Sequence, residues 1–148
     1  YLIKDKNGEM ISSPKLLSTV FLDNEAGPRH IAIHPSLSLF YILNELNNTV
    51  SICRYEFDEK EEKCSFKILN SYNTLPEDYN GESFAAAIKL SNNGEFLYAS
   101  NRGHDSISIF SIDEKGILSL ITNESTRGKA PRDFIIHPTK PWIIVLNQ

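Results

Sequence analysis

Six side chains in this sequence have the chemistry to bind and turn over an anion. They are Arg29, His30, Glu45, Arg102, His104 and Arg132. Guanidinium groups grip phosphate or carboxylate through two parallel N–H bonds, so three arginines at one place would define an anion site. A histidine and a glutamate beside them would supply a general base and a general acid. Asn44 and Asn101 stand directly before Glu45 and Arg102, where their amides could add hydrogen bonds to a substrate. No P-loop, no G-x-G-x-x-G opening a helix and no G-x-S-x-G elbow occurs, so nucleotide phosphoryl transfer and Ser-His-Asp hydrolysis have no support.

Such residues act together only if the chain carries them to one edge, and an internal repeat provides the means. Pro28-Arg29-His30-Ile31-Ala32-Ile33-His34-Pro35 matches Pro131-Arg132-Asp133-Phe134-Ile135-Ile136-His137-Pro138 without a gap. The same offset lays Asn44 on Asn147, and Asn101 is the corresponding residue of a copy between them. A repeat of about 40–50 residues made of short strands is the sequence sign of a β-propeller blade. No segment keeps a helical period over three turns, so the expected fold class is all-β, a partial propeller of about three four-stranded blades.

The expected layout is a single propeller domain over 1–148. Residues 1–26 hold the outer strands of a preceding blade, with Tyr1–Lys4 and Lys15–Leu22 as strands and Asp5–Gly8 as their turn. One blade spans 27–72, with strands at 30–33, 39–43, 50–57 and 64–70. A second spans 83–123, with strands at 84–90, 95–100, 106–112 and 117–122. The inner strands of a third occupy 129–148, at 133–136 and 142–146. Small side chains at Ala85-Ala86-Ala87 suit an innermost strand crowded about the axis. The run Asp58–Lys63 reads as a solvated hairpin tip. Tyr1 at one end and the apolar run before Asn147-Gln148 at the other suggest a piece of a longer protein.

In an antiparallel hairpin, the start of one strand and the end of the next share an edge. Arg29-His30 thus meets Asn44-Glu45, and Arg132 meets Asn147-Gln148. Ala86-Ala87 likewise meets Asn101-Arg102. All three edges would open on one mouth, with the connection from Tyr72 to Ser83 adding Glu77, Asp78 and Glu82. The competing structural reading is that Arg29 and Arg132 brace blade contacts and that His30 is a hydrogen-bonded strand-start residue. For His104 both readings stay open. His34 and His137 fall at the opposite edge, in turns.

Composition narrows the partners. The chain has 148 residues and a net charge of −4, with no basic stripe to hold nucleic acid. No apolar run reaches the length of a membrane span, and no signal peptide opens the chain, so a cytoplasmic setting is expected. Cys53 and Cys64 read as two reduced thiols on neighbouring strands. No C-x-x-C spacing suggests zinc, and neither a metal nor a cofactor is expected.

Five stretches carry a resemblance. Gly27-Pro28-Arg29-His30, Asn44-Glu45-Leu46-Asn47, Leu75-Pro76-Glu77-Asp78, Leu97 to Ile107 and Pro131-Arg132-Asp133-Phe134 resemble the 6-phosphogluconolactonase propeller family, which also includes carboxy-muconate cyclases. The resemblance covers nearly all of 27–148. It implies a seven-bladed propeller, with about three blades in this chain, and a metal-independent polar pocket corresponding to Arg29, His30, Glu45, Arg102 and Arg132. The expected catalytic set is His30, Glu45, Arg102 and Arg132. The expected substrate contacts are Arg29, Asn44, Asn101 and His104. The activity implied is hydrolysis of a sugar lactone, 6-phosphoglucono-δ-lactone, in the pentose phosphate route. The alternatives are a carboxy-muconate lactonising cyclase and a non-catalytic propeller that binds a partner at its mouth. The expected partner is a small anionic lactone, with no nucleic acid and no membrane.

Overall fold

Alternation of apolar and polar residues broken by Asn-Gly and Lys-Gly turns leaves this chain few options besides short antiparallel strands. The computed structural model describes residues 2–5 and 7–148. It contains twelve strands among those residues and no helix. They are β1 (Leu2–Lys4), β2 (Met10–Lys15), β3 (Pro28–Ile33), β4 (Leu39–Asn44), β5 (Thr49–Asp58), β6 (Lys63–Asn73), β7 (Phe84–Leu90), β8 (Phe96–Arg102), β9 (Ser106–Ile112), β10 (Leu118–Ser125), β11 (Asp133–Ile136) and β12 (Ile143–Leu146). Two four-stranded meanders, β3-β4-β5-β6 and β7-β8-β9-β10, are flanked by the pairs β1-β2 and β11-β12. The architecture is part of a β-propeller, as the repeat predicts.

The first pair differs from expectation. Its second strand is Met10–Lys15, and no strand covers 16–23. The reason is local. Asp5 Oδ1 accepts from Asn7 N and Glu9 N at 2.8 Å each, and Gly8 takes a φ of 81°. A turn closed this tightly starts the return strand at once, pairing Lys4 with Met10. The apolar residues further on serve otherwise: Val20 and Leu22 line a cavity of about 170 Å³ with Pro28, Arg29, Ile31 and Ile42. Tyr1 and Lys6, expected in this strand and turn, lie outside the described residues.

Sheets of this kind stack by their faces, and the buried side chains show it. Tyr41, Leu43, Val50 and Ile52 of the first meander form one core with Ala85, Ile88, Ala99 and Phe110 of the second. Ala87 and Ile107 form another with Phe134 of β11. Tyr41 is wholly buried, and burial followed by the nearby Asp113 charge pushes its hydroxyl up to about 12. It therefore stays protonated and donates to Gly116 O across the interface at 3.1 Å. Ala85, Ala86 and Ala87 have no exposed surface, which is why the innermost strand is written in alanine.

Repetition extends to the turns. His34 N, Ser91 N and His137 N bond to Leu39 O, Phe96 O and Trp142 O, at 3.0, 2.9 and 2.9 Å. His34 Nδ1 accepts from Ser36 N and Leu37 N, and His137 Nδ1 accepts from Thr139 N and Lys140 N. Both histidines thus hold turns. Cys53 and Cys64 are free thiols, and they do not face one another: Cys53 pairs with Ile68, and Cys64 with Phe57.

Candidate functional site

Strand register brings the polar ends together. Pro28 lies opposite Asn44, Phe84 opposite Arg102 and Asp133 opposite Leu146, so all three inner hairpins begin and end at one edge. Hydrogen bonds join neighbouring edges: Ala85 N donates to Glu45 O at 3.2 Å, and the Asn48 side-chain Nδ2 donates to Ser83 O at 2.8 Å. The ladder slips between Pro28 and His30 in β3 and between Ala85 and Ile88 in β7.

Glu45 is the hub. Arg29 Nε lies 3.5 Å from Glu45 Oε2, and Arg102 Nη2 bonds directly to Oε1. Arg29 Nη1 also donates to Ala86 O, reaching from one sheet to the next. The Arg102 guanidinium sits 5.7 Å from the centre of the Phe84 ring. Its Nε is buried and, among the described residues, has no hydrogen-bond partner. Leaving such a donor unmet costs on the order of 1–3 kcal/mol. Arg102 is thus held by Glu45 and Phe84 rather than by full pairing.

His30 is exposed at the same edge, its Nε2 3.1 Å from Arg29 Nη1. Arginine can only donate, so the imidazole nitrogen facing it must carry a lone pair. Partial burial first, then the Arg29 and Lys89 charges, holds His30 below its usual value of 6.5, while Asp133 and Glu45 pull it back. A neutral imidazole beside the Arg29 guanidinium can take a proton from water at neutral pH once that nitrogen turns away from Arg29 Nη1.

The other expected residues are placed differently. Arg132 is exposed, and no hydrogen bond or ion pair engages its side chain among the described residues. His104 bonds through Nδ1 to Ser106 Oγ at 2.7 Å and meets the Tyr79 ring at 4.7 Å, so its ring is occupied beside the cluster rather than in it. Asn44 and Asn101 require correction as substrate contacts, because both are buried. Asn44 Nδ2 donates to Thr49 Oγ1 and Ser51 Oγ, both at 2.9 Å. Asn101 Nδ2 makes the same bonds to Ser106 Oγ at 3.2 Å and Ser108 Oγ at 2.7 Å. Each amide ties the second strand of its sheet to the third. Glu77, Asp78 and Glu82 are exposed on their loop, which turns Tyr79 toward His104 instead.

The family model for "Lactonase, 7-bladed beta-propeller" matches residues 1–148. The chain belongs to that lactonase family. Among curated proteins it is 36% identical to a 6-phosphogluconolactonase of Bacillus subtilis, over 83% of this chain and 34% of that one. It is 45% identical to an uncharacterized protein of Lactococcus lactis, over 82% of this chain and 35% of the relative. Among solved structures, a protein from Lactobacillus plantarum superposes with a TM-score of 0.83 at 32% identity, over 98% of this chain and 40% of that one. A periplasmic gluconolactonase of Pseudomonas aeruginosa gives 0.79 at 28% identity, over 87% and 35%. The chain thus spans between a third and two fifths of the length of these relatives.

Within this lactonase segment, two residues at the edge escape a reading by motif. Phe84 opens β7 beneath Arg102. Lys89 Nζ lies 3.4 Å from Asp133 Oδ1, joining the second inner strand to the third. A signal for Lys89 is present in the sequence: it is the sole charge on β7, at the repeat position held by Ala32 and Ile135. Among the described residues no group of three or more His, Cys, Asp or Glu side chains is arranged to hold a metal ion. None has a helix long and apolar enough to cross a membrane.

Proposed function

We propose that the complete protein hydrolyses a sugar lactone at this edge, and that its substrate is 6-phosphoglucono-δ-lactone, which would place it in the pentose phosphate route in the cytoplasm. The observation that carries the reading is an exposed imidazole lying against Arg29, which shares the Glu45 carboxylate with Arg102. Relatives named as 6-phosphogluconolactonase and gluconolactonase support it.

In this reading His30, its ring nitrogen released from Arg29 Nη1, removes a proton from water as the oxygen attacks the lactone carbonyl. Arg102 faces the oxyanion of the tetrahedral adduct. The bond from the acyl carbon to the ring oxygen then breaks, and the proton held on His30 passes to that oxygen, giving a hydroxy acid. Glu45 is engaged by two arginines, which suits it to aligning them rather than to taking a proton. Arg132 is free to meet a further anionic oxygen.

The test is a coupled assay for 6-phosphogluconate on the full-length protein, with carboxy-muconate as comparison substrate. Arg102→Ala should lower kcat/KM for the lactone about 10²-fold or more while the melting temperature stays within a few degrees. An unaltered rate would remove Arg102 from the reaction. Turnover of carboxy-muconate alone would favour the cyclase reading, and no turnover of either substrate the non-catalytic one.

A further inference from the structure

Lys89 occupies a place where the fold asks for no charge. Strand register puts Ala32 opposite Tyr41, Lys89 opposite Tyr98 and Ile135 opposite Ile144, one rung of the same hairpin in three successive sheets. Two of the three rungs are filled by apolar residues, so the sheet does not need lysine there. The side chain is 39% exposed, and its ammonium rises to the level of the mouth, where it meets Asp133. An ammonium has three protons to donate, and Asp133 Oδ1, at 3.4 Å, is its one ion-pair partner among the described residues. That oxygen is shared with Phe134 N at 2.9 Å. Arg29 and Arg102, in contrast, are already committed to Glu45. Of the three cations on the inner hairpins that are held in an ion pair, Lys89 alone is not tied to Glu45.

We propose that Lys89 anchors the phosphate of the substrate and so selects a phosphorylated lactone over its unphosphorylated counterpart. This inference rests on the lactonase reading above. Lysine suits the task as a mobile point charge that follows a phosphate without demanding one geometry. Asp133 acts as the counter-ion of the empty site and yields the ammonium when a stronger anion arrives. The lactone ring then lies toward His30 and Arg102, with its charged arm over β7 and β11.

The experiment compares kcat/KM for 6-phosphoglucono-δ-lactone and glucono-δ-lactone in the full-length protein. In Lys89→Met the ratio of the two should fall tenfold or more, carried by KM on the phosphorylated substrate. Lys89→Arg should restore most of the ratio, and Asp133→Asn should raise it by removing the competing anion. A ratio unchanged in Lys89→Met, whether both rates fall together or neither does, overturns the assignment. If the wild type hydrolyses neither lactone, the lactonase reading fails by itself. Lys89 is then judged by calorimetry: 6-phosphogluconate should bind Lys89→Met at least tenfold more weakly, with gluconate as control, and equal binding overturns the inference.

Discussion

Arg29 and Arg102 come from successive sheets and share the Glu45 carboxylate, while His30 stands where the charges of Arg29 and Lys89 bear on it. The sign of the pH dependence follows. Burial and neighbouring cations hold the imidazole below 6.5, so the neutral form persists further into acid than in a free histidine. A base is active when neutral. Lactone hydrolysis should fall to half its plateau rate only at a pH below 6.5, as His30 takes up a proton. Removing one of the depressing cations should move the acid limb upward, so Lys89→Met should show a higher midpoint than the wild type. Asp133 and Glu45 oppose that movement and limit its size. A pH–rate profile of kcat/KM reads both. A wild-type midpoint at or above 6.5 would take the base role from His30.

At the scale of the strand, the site depends on hairpins closed by buried asparagine. Asn101 carries the fuller network. Its Nδ2 reaches Ser106 and Ser108, and its Oδ1 accepts from Thr74 Oγ1 at 2.7 Å, fastening the loop after β6 to the end of β8. Asn101→Ala should therefore cost about 2 kcal/mol of stability, the order expected when buried polar groups lose their partner. Urea unfolding of the full-length protein measures it. Because the amide faces the sheet interior, the effect should appear in stability and not as a lost substrate contact in KM. Beside it, Gly103 has a φ of 105°, and a Cβ there would stand 2.2 Å from Glu82 O. Only glycine lets β8 end so close to the loop, and Arg102 is carried by that ending.

For the whole molecule, the faces left uncovered are informative. Ile31 and Ile33 on β3 are 61% and 67% exposed, and Trp142, Ile144 and Leu146 on or beside β12 are more than half exposed. These residues alternate as buried ones do elsewhere in the fold, and exposed apolar area of this kind marks a surface made to be covered. Relatives run to about two and a half times this length. Residues 1–148 produced alone should accordingly bind an apolar dye and self-associate on gel filtration. They should hydrolyse the lactone at roughly 1% of the full-length rate or less, since burying a site strengthens its charges. A monomeric segment with full activity would show that three inner hairpins suffice.

Most of the architecture was legible in one dimension because the blade is a local object. Its strands pair with their sequence neighbours, its turns declare themselves in Asn-Gly and His-Pro, and the repeat aligns Arg29, Ala86 and Arg132 without a gap. Local register alone also put Arg29, Glu45 and Arg102 at one edge. Which way a side chain leaves that edge is a different kind of fact. Asn44 and Asn101 look like substrate ligands in the string, yet hydroxyls at the start of the next strand hold them inward. Lys89 looks like a stray surface charge until β7 is set beside β11 and Asp133 appears within reach. Pairing along the chain is settled by alternation and turn chemistry. Contacts between sheets depend on how the faces stack, and that information is spread over residues too far apart in sequence for any motif to hold it.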